Sequence, residues 1–156
     1  MWREMRRKND QISQEEAERV LRDGKRGVLA VLGDDGYPYT VPLDYVLVDG
    51  KIIFHSAVEG HKLDAIAAYD KVSFCVLSEP IETPGEWWLT FCSVVVFGRI
   101  KRIADDNRKR ELLWKLGEKY FPSMEGEHEH IERTLNRVAI LELEPEHLTG
   151  KRVREK

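Results

Sequence analysis

Asp49-Gly50 separates two runs of β-forming residues, 39–48 and 51–56 (Lys51-Ile52-Ile53-Phe54-His55-Ser56). A two-residue Asp-Gly link favours the tight turn whose twist matches paired strands, so this stretch dictates an antiparallel hairpin. The rest of the chain agrees with that start. Residues 27–32 form a continuous apolar run of strand length, and Gly33-Asp34-Asp35-Gly36 follows as a turn signal. Further strands are expected over 71–77, over 87–103 with a bulge or bend at Gly98, and over 138–143. Residues 78–86 hold Pro80, Pro84 and Gly85 and read as a loop.

Helices punctuate these strands. Ser13 can cap a first helix, with Glu16 closing a capping box and Ala17, Val20 and Leu21 forming its apolar stripe before Gly24 ends it. Leu63, Ile66 and Ala67 mark a short second helix beginning near His61. Leu112, Leu113, Leu116 and Tyr120 mark a third over 105–121, ended by Pro122, and residues 131–136 add a turn or two. Strand–helix alternation and a Gly-x-Gly-x-x-Gly are both missing, which excludes a doubly wound nucleotide fold. The expected architecture is mainly β with helices (α+β): about six antiparallel strands closed into a barrel.

The chain has 156 residues, 42% of them hydrophobic, so one domain over 1–156 is expected. Its apolar runs fall short of the roughly 20 residues that cross a bilayer. The first eight residues are charged with no apolar segment behind them, which implies no secretory signal and a cytoplasmic location. Net charge is −3, but residues 1–8 and 151–156 each carry four bases against one acid, leaving about −9 between these basic tails. An acidic body lacks the basic face that phosphate neutralisation needs, so nucleic acid is not the expected partner. Cys75 and Cys92 form no Cys-x-x-Cys pair, which removes zinc-knuckle and thioredoxin-like readings. Gly126-Glu127-His128-Glu129-His130 has poor metal spacing, since on a helix His128 and His130 would point about 200° apart. It reads as a solvated loop, and no metal is expected.

Three stretches bear on chemistry. Residues 54–63 join a strand end, a short turn and a helix start, bringing Ser56, His61 and Lys62 together with Gly60. First-turn amides lack intrahelical partners, the helix dipole favours an anion, and Lys62 adds charge, so the place suits phosphate. An ordinary capped helix with surface His and Lys fits the same spacing. Tyr37-Pro38-Tyr39-Thr40-Val41-Pro42-Leu43-Asp44-Tyr45 sets a proline inside a strand, which marks an edge or a bulge. A planar heteroaromatic ring could bond the free backbone groups around Val41 to Leu43 while Tyr45 or Trp87 covers a face. Ser93 opens a third stretch, early in an apolar strand.

In combination and in this order the motifs Gly36-Tyr37-Pro38-Tyr39-x-Val41-Pro42-Leu43-x-Tyr45, Phe54-His55-Ser56-Ala57-x-x-Gly60-His61-Lys62, Ser93-Val94-Val95-Val96-x-Gly98 and Leu148-Thr149-Gly150-Lys151 resemble the flavin-binding split-barrel proteins related to pyridoxamine 5′-phosphate oxidase, and most closely the branch with the nitroimidazole-resistance reductases. The resemblance runs from about Arg6 to Lys151. It implies a six-stranded split barrel of FMN-binding type, working as a homodimer with one FMN in each of two interface clefts. By position it implies phosphate ligands at His61 and Lys62, a hydroxyl at Ser56, the flavin ring along Thr40, Val41, Pro42 and Leu43, and Ser93 and Val94 from the partner chain. Tyr45, Trp87 and Trp88 would wall the open side, and His55 sits beside the cluster without an assigned catalytic role.

One departure matters. The true oxidases carry a basic, histidine-containing C-terminal segment that reads the substrate phosphate, and Leu148-Thr149-Gly150-Lys151-Arg152-Val153-Arg154-Glu155-Lys156 does not match it. The resemblance therefore implies an FMN-dependent oxidoreductase that takes electrons from a small-molecule donor and reduces a nitroaromatic or quinone-like acceptor. The catalytic residues stay unassigned. The alternatives are a pyridoxamine 5′-phosphate oxidase-like oxidase and a non-catalytic flavin or haem carrier, with His55, His61 or residues 127–130 as haem ligands.

Overall fold

The computed structural model describes residues 1–154. Eight strands replace the expected six: β1 (Arg26–Leu32), β2 (Pro38–Asp44), β3 (Val46–Val48), β4 (Lys51–Ala57), β5 (Lys71–Leu77), the two-residue β6 (Ile81–Glu82), β7 (Leu89–Arg102) and β8 (Val138–Arg154). Helices α1 (Gln14–Asp23), α2 (His61–Ala68), α3 (Asp106–Tyr120) and α4 (Glu127–Thr134) decorate them. All pairings are antiparallel, in the order β2-β1-β5-β7-β8-β4-β3, with β6 paired to β7. β2 and β3 stand at opposite ends of that order, yet only Tyr45 separates them in the chain. The sheet must therefore curl until its two ends meet at Tyr45.

That seam corrects the expectation of one strand over 39–48. Only Val46–Val48 pairs with β4 across the Asp49-Gly50 turn, while Pro38–Asp44 pairs with β1. Tyr45 is fully buried, its ring edge-on to Phe74 at 5.0 Å, and its hydroxyl donates to the Leu21 carbonyl of α1. Its own backbone leaves both ladders and is satisfied from α3: the Tyr45 N–H donates to the Tyr120 hydroxyl at 2.9 Å, and that hydroxyl donates to the Tyr45 carbonyl at 2.7 Å. Burying these two groups unpaired would be costly, and the Tyr120 hydroxyl removes that cost.

The sequence signals for α1 hold, with the Ser13–Glu16 capping box formed in both directions. The irregularity at Gly98 is a register shift between β7 and β8, where a side chain would run into the Glu144 carbonyl. Three other expectations change. The last strand runs to Arg154 rather than stopping at Leu143, because Gly150 to Arg154 pair with Val94 to Thr90. The basic C-terminal tail is thus strand through Arg154, with Arg152 bonded to Glu16 at 2.9 Å, and residues 155–156 lie outside the described residues. Residues 127–130 are helix rather than loop, and the His128 ring stacks on Trp114 at 4.3 Å. At the other terminus, Trp2 stacks on His147 at 4.8 Å and on Phe97 at 5.4 Å, so the first residues lie against the sheet.

The barrel interior is one apolar cluster including Leu29, Tyr45, Phe54, Phe74, Val94 and Leu141. A second, smaller one joins Ile53 and Ile140 of the sheet to Leu112 and Leu116 of α3. No helix among the described residues is long and apolar enough to cross a membrane.

Candidate functional site

Gly60 begins α2 at φ 136°, a conformation that strains any residue with a side chain, and no side chain caps the helix. The Gly60 carbonyl takes the Leu63 and Asp64 N–H groups, so the amides of His61 and Lys62 stand ahead of the helical ladder at its positive end. Lys62 is half-buried beside them. The His61 ring stacks on Tyr39 at 4.3 Å, with Nε2 3.7 Å from the Asp34 carboxylate, which ties α2 to the β1–β2 turn. The Ser56 hydroxyl donates to the Ala57 carbonyl at 3.0 Å and shares its strand face with Phe54.

A further cation reaches this corner. Arg102 donates to the Val58 carbonyl at 3.2 Å, in the loop leading to α2. It stands there because Phe54 pairs with Leu141 and Leu141 with Arg102, two ladder steps that no local pattern reveals. Sequence reasoning missed it for that reason.

β2 is an edge strand, as its proline signalled. Thr40 and Pro42 point outward, while Val41 and Leu43 pack against the core. Other expected positions turn away from a cleft. Tyr45 is sealed inside the seam, and Val94 is fully buried in the barrel core, so neither side chain can wall an open cleft or touch a cofactor outside the barrel. His55 alternates with Phe54 and Ser56, which puts its side chain on the opposite sheet face, under α3 and α4, rather than beside Lys62. Trp87 is exposed and edge-on to Trp88 just before β7, at the opposite end of that strand from Arg102. Roughly 40 Å of extended chain separates the two ends. Within one chain the tryptophans do not wall the α2 corner. Ser93 points outward from the Trp87 half of β7, in register with Leu77 and Lys151.

The outer face of the sheet mixes apolar and small polar side chains over five strands, with an apolar centre. Pro42, Val28, Cys75, Val95 and Thr149 form one continuous row across it, and Thr40, Ala30, Ser73, Phe97 and His147 the next. Val28 is 42% exposed, Leu77 59% and Phe97 39%. Contiguous exposed apolar surface of this kind marks an interaction face.

Two of the molecule's cavities bear on these residues. The larger, 1020 Å³, opens between α1, the start of β1 and the end of β5, and is lined by Lys119, Arg26 and Arg152 among others. Lys119 lies over the Tyr45 ring at 4.0 Å and donates to the Gly24 carbonyl. Burial and then the neighbouring Lys25 push its ammonium down to about 8 from the ordinary 10.5. Between those values the unfolded chain holds a proton that the folded chain has released, so stability rises with pH through the window. Denaturation of the wild type and Lys119→Met at several pH values should show the wild type gaining on the variant between about pH 8 and 10.5. A constant difference would refute the assignment. The smaller cavity, 280 Å³, lies beneath α3 and α4 and is lined by His55 and His130. Among the described residues no group of three or more His, Cys, Asp or Glu side chains is placed to hold a metal ion.

The sequence model of the pyridoxamine 5′-phosphate oxidase family matches residues 13–152. The chain belongs to that family. The curled antiparallel sheet is accordingly its split barrel, and the family binds flavin. Solved structures agree on the fold. A candidate 5-nitroimidazole antibiotic resistance protein from Bacteroides thetaiotaomicron superposes with a TM-score of 0.78 at 17% identity, over 92% of this chain and 87% of that one. An FAD-binding protein from Mesorhizobium loti gives 0.67 at 25% identity, over 92% and 96%. A flavocytochrome from Azotobacter vinelandii gives 0.77 at 18%, over 98% and 73%. No curated protein is similar enough in sequence to match.

Proposed function

We propose that this member of the pyridoxamine 5′-phosphate oxidase family is an FMN-dependent oxidoreductase that works as a homodimer and reduces a nitroaromatic or quinone-like small molecule. The observation that carries the reading is the start of α2, where two uncapped amides, half-buried Lys62 and Arg102 converge beside the edge strand β2. The donor set fits a flavin mononucleotide phosphate: amides at a helix N-terminus together with the Lys62 and Arg102 cations. The neighbouring His61 imidazole is held by Tyr39 and Asp34 and orients this end of the helix.

Bound FMN supplies hydride and electron transfer. The chain's own residues bind and orient it. Lys62 neutralises phosphate charge, the α2 amides fix the phosphate position, and the outward Thr40 and Pro42 of β2 offer an edge along which a flat ring lies. The apolar outer face supplies the surface against which a second copy would exclude water, bringing Ser93 of that copy toward the ring. The Bacteroides protein's description points to a nitro-compound acceptor, and the unmatched C-terminal segment argues against a B6 phosphate.

An absorption spectrum of the purified protein, with release and mass identification of the chromophore, tests the cofactor. A flavin band and FMN mass are expected; a Soret band, or a colourless protein that leaves added FMN fluorescence unchanged, would overturn it. Lys62→Ala should weaken FMN binding by about 10- to 150-fold through loss of one charge-assisted contact. Unchanged affinity in a fluorescence titration would remove Lys62 from the site.

A further inference from the structure

The 280 Å³ cavity beneath α3 and α4 brings together residues that lie far apart in the sequence. His55 comes from β4, Asp44 from the end of β2, and Glu127 and His130 from α4. Its walls are apolar: Leu113, Leu116, Phe121, Ile131 and Val138. Asp44 already holds Arg26 at 2.7 Å. The side chains of His55, His130 and Glu127, by contrast, make no hydrogen bond or ion pair among the described residues; both imidazoles are exposed and Glu127 is half-buried, so they stand at the mouth of the hollow. An apolar hollow with a few convergent polar groups at its mouth has the chemistry of a ligand site.

Its lining also restricts the occupant. Two carboxylates line it and no lysine or arginine does. With Asp44 paired to Arg26, a carboxylate or phosphate ligand would still face the Glu127 carboxylate with no lysine or arginine in the lining, whereas a protonated nitrogen would find Glu127 unpaired. The volume sits just below the roughly 300–1,000 Å³ of sites for drug-sized ligands, which leaves room for one or two rings. We infer that this cavity binds a small aromatic compound bearing a protonated amine, its ring against Leu116 and Ile131, its nitrogen on Glu127, and the two imidazoles available to polar ring substituents. That the bound compound is the electron acceptor rests on the flavin reading, Asp44 being the last residue of the strand along which the ring is proposed to lie; that it binds does not.

Tryptamine and indole-3-acetate share a ring system and differ in the sign of their charge, so calorimetric titration of the whole protein with each tests the assignment. Saturable tryptamine binding is expected, with indole-3-acetate weaker by about tenfold or more. Glu127→Gln should erase most of that preference, while Glu18→Gln, on exposed α1 surface, should leave it intact and so separate the cavity from general attraction to an acidic protein. Absence of tryptamine binding, equal affinity for the two compounds, or a preference that survives Glu127→Gln would overturn the inference. FMN titration of the same preparations keeps the two readings apart. Failure to bind FMN with the tryptamine preference present removes the flavin reading alone, and the converse result removes this one alone.

Discussion

For the homodimer proposed above, Val95→Glu is expected to leave the protein monomeric and to abolish flavin retention without unfolding it. Val95 lies near the middle of the outer sheet face, with Cys75 on one side in the ladder and Thr149 on the other, and Val28 one strand beyond Cys75. Its side chain points away from the barrel core, so within one chain the new carboxylate stays in water. In a two-fold assembly built on this face it is buried twice, once from each copy. Desolvating an unpaired carboxylate costs several kcal/mol, which exceeds what the loss of one valine contact removes. In the proposed dimer flavin retention would fall with it, because Ser93 of the second copy and the cover of its sheet would leave together. Light scattering of the eluting protein combined with visible absorbance checks both effects. A dimer carrying stoichiometric FMN in the variant would show that another face holds the copies together.

The second large effect concerns the fold. Glu142 of β8 is paired in the ladders with Ile53 and Lys101, and its side chain is only 4% exposed. Two ammonium groups compensate it, Lys51 at 3.1 Å and Lys101 at 3.5 Å. The partners are unequal in their dependence: Lys51 and Lys101 reach solvent and would hydrate if Glu142 were lost, but Glu142 has no comparable recourse. Lys51→Met with Lys101→Met therefore leaves a buried, uncompensated carboxylate, and a loss of roughly 3–5 kcal/mol is expected. Urea denaturation measures it. Adding Glu142→Leu should return most of the loss, because an apolar residue at the same place has no charge to desolvate. If the double variant is as stable as the wild type, or if Glu142→Leu fails to restore it, the charge balance described here is not what stabilises this part of the sheet.

The features that local chemistry controls were legible in the amino-acid order. Asp49-Gly50 made the turn because two positive φ values are needed there and Asp and Gly tolerate them. Ser13 and Glu16 formed the capping box, Pro42 marked an edge strand, and Gly98 marked the bulge. Gly60, His61 and Lys62 announced the helix start on which the phosphate proposal rests. Each of these depends on neighbours within a few residues. Residues 39–48 were not legible in full: their composition is uniformly β-forming, and only the closure of the barrel forces Tyr45 out of both ladders and into the core. The end of β8 was hidden in the same way, since Lys151 to Arg154 look like a solvated basic tail until β7 offers them backbone partners.

Sequence thus determined the antiparallel class, the helix starts and the chemistry available at the α2 corner, because periodicity, caps and turn residues act over one to four positions. Only the tertiary structure decided which side chains share a surface. It set Arg102 beside the loop before α2, turned His55 from the α2 corner toward Glu127 and His130, and sealed Tyr45 and Val94 inside the barrel. Those outcomes follow from strand order and register, where one residue of shift moves every side chain to the other face, and strand pairing over a separation of 40 to 100 residues leaves no local trace in the sequence.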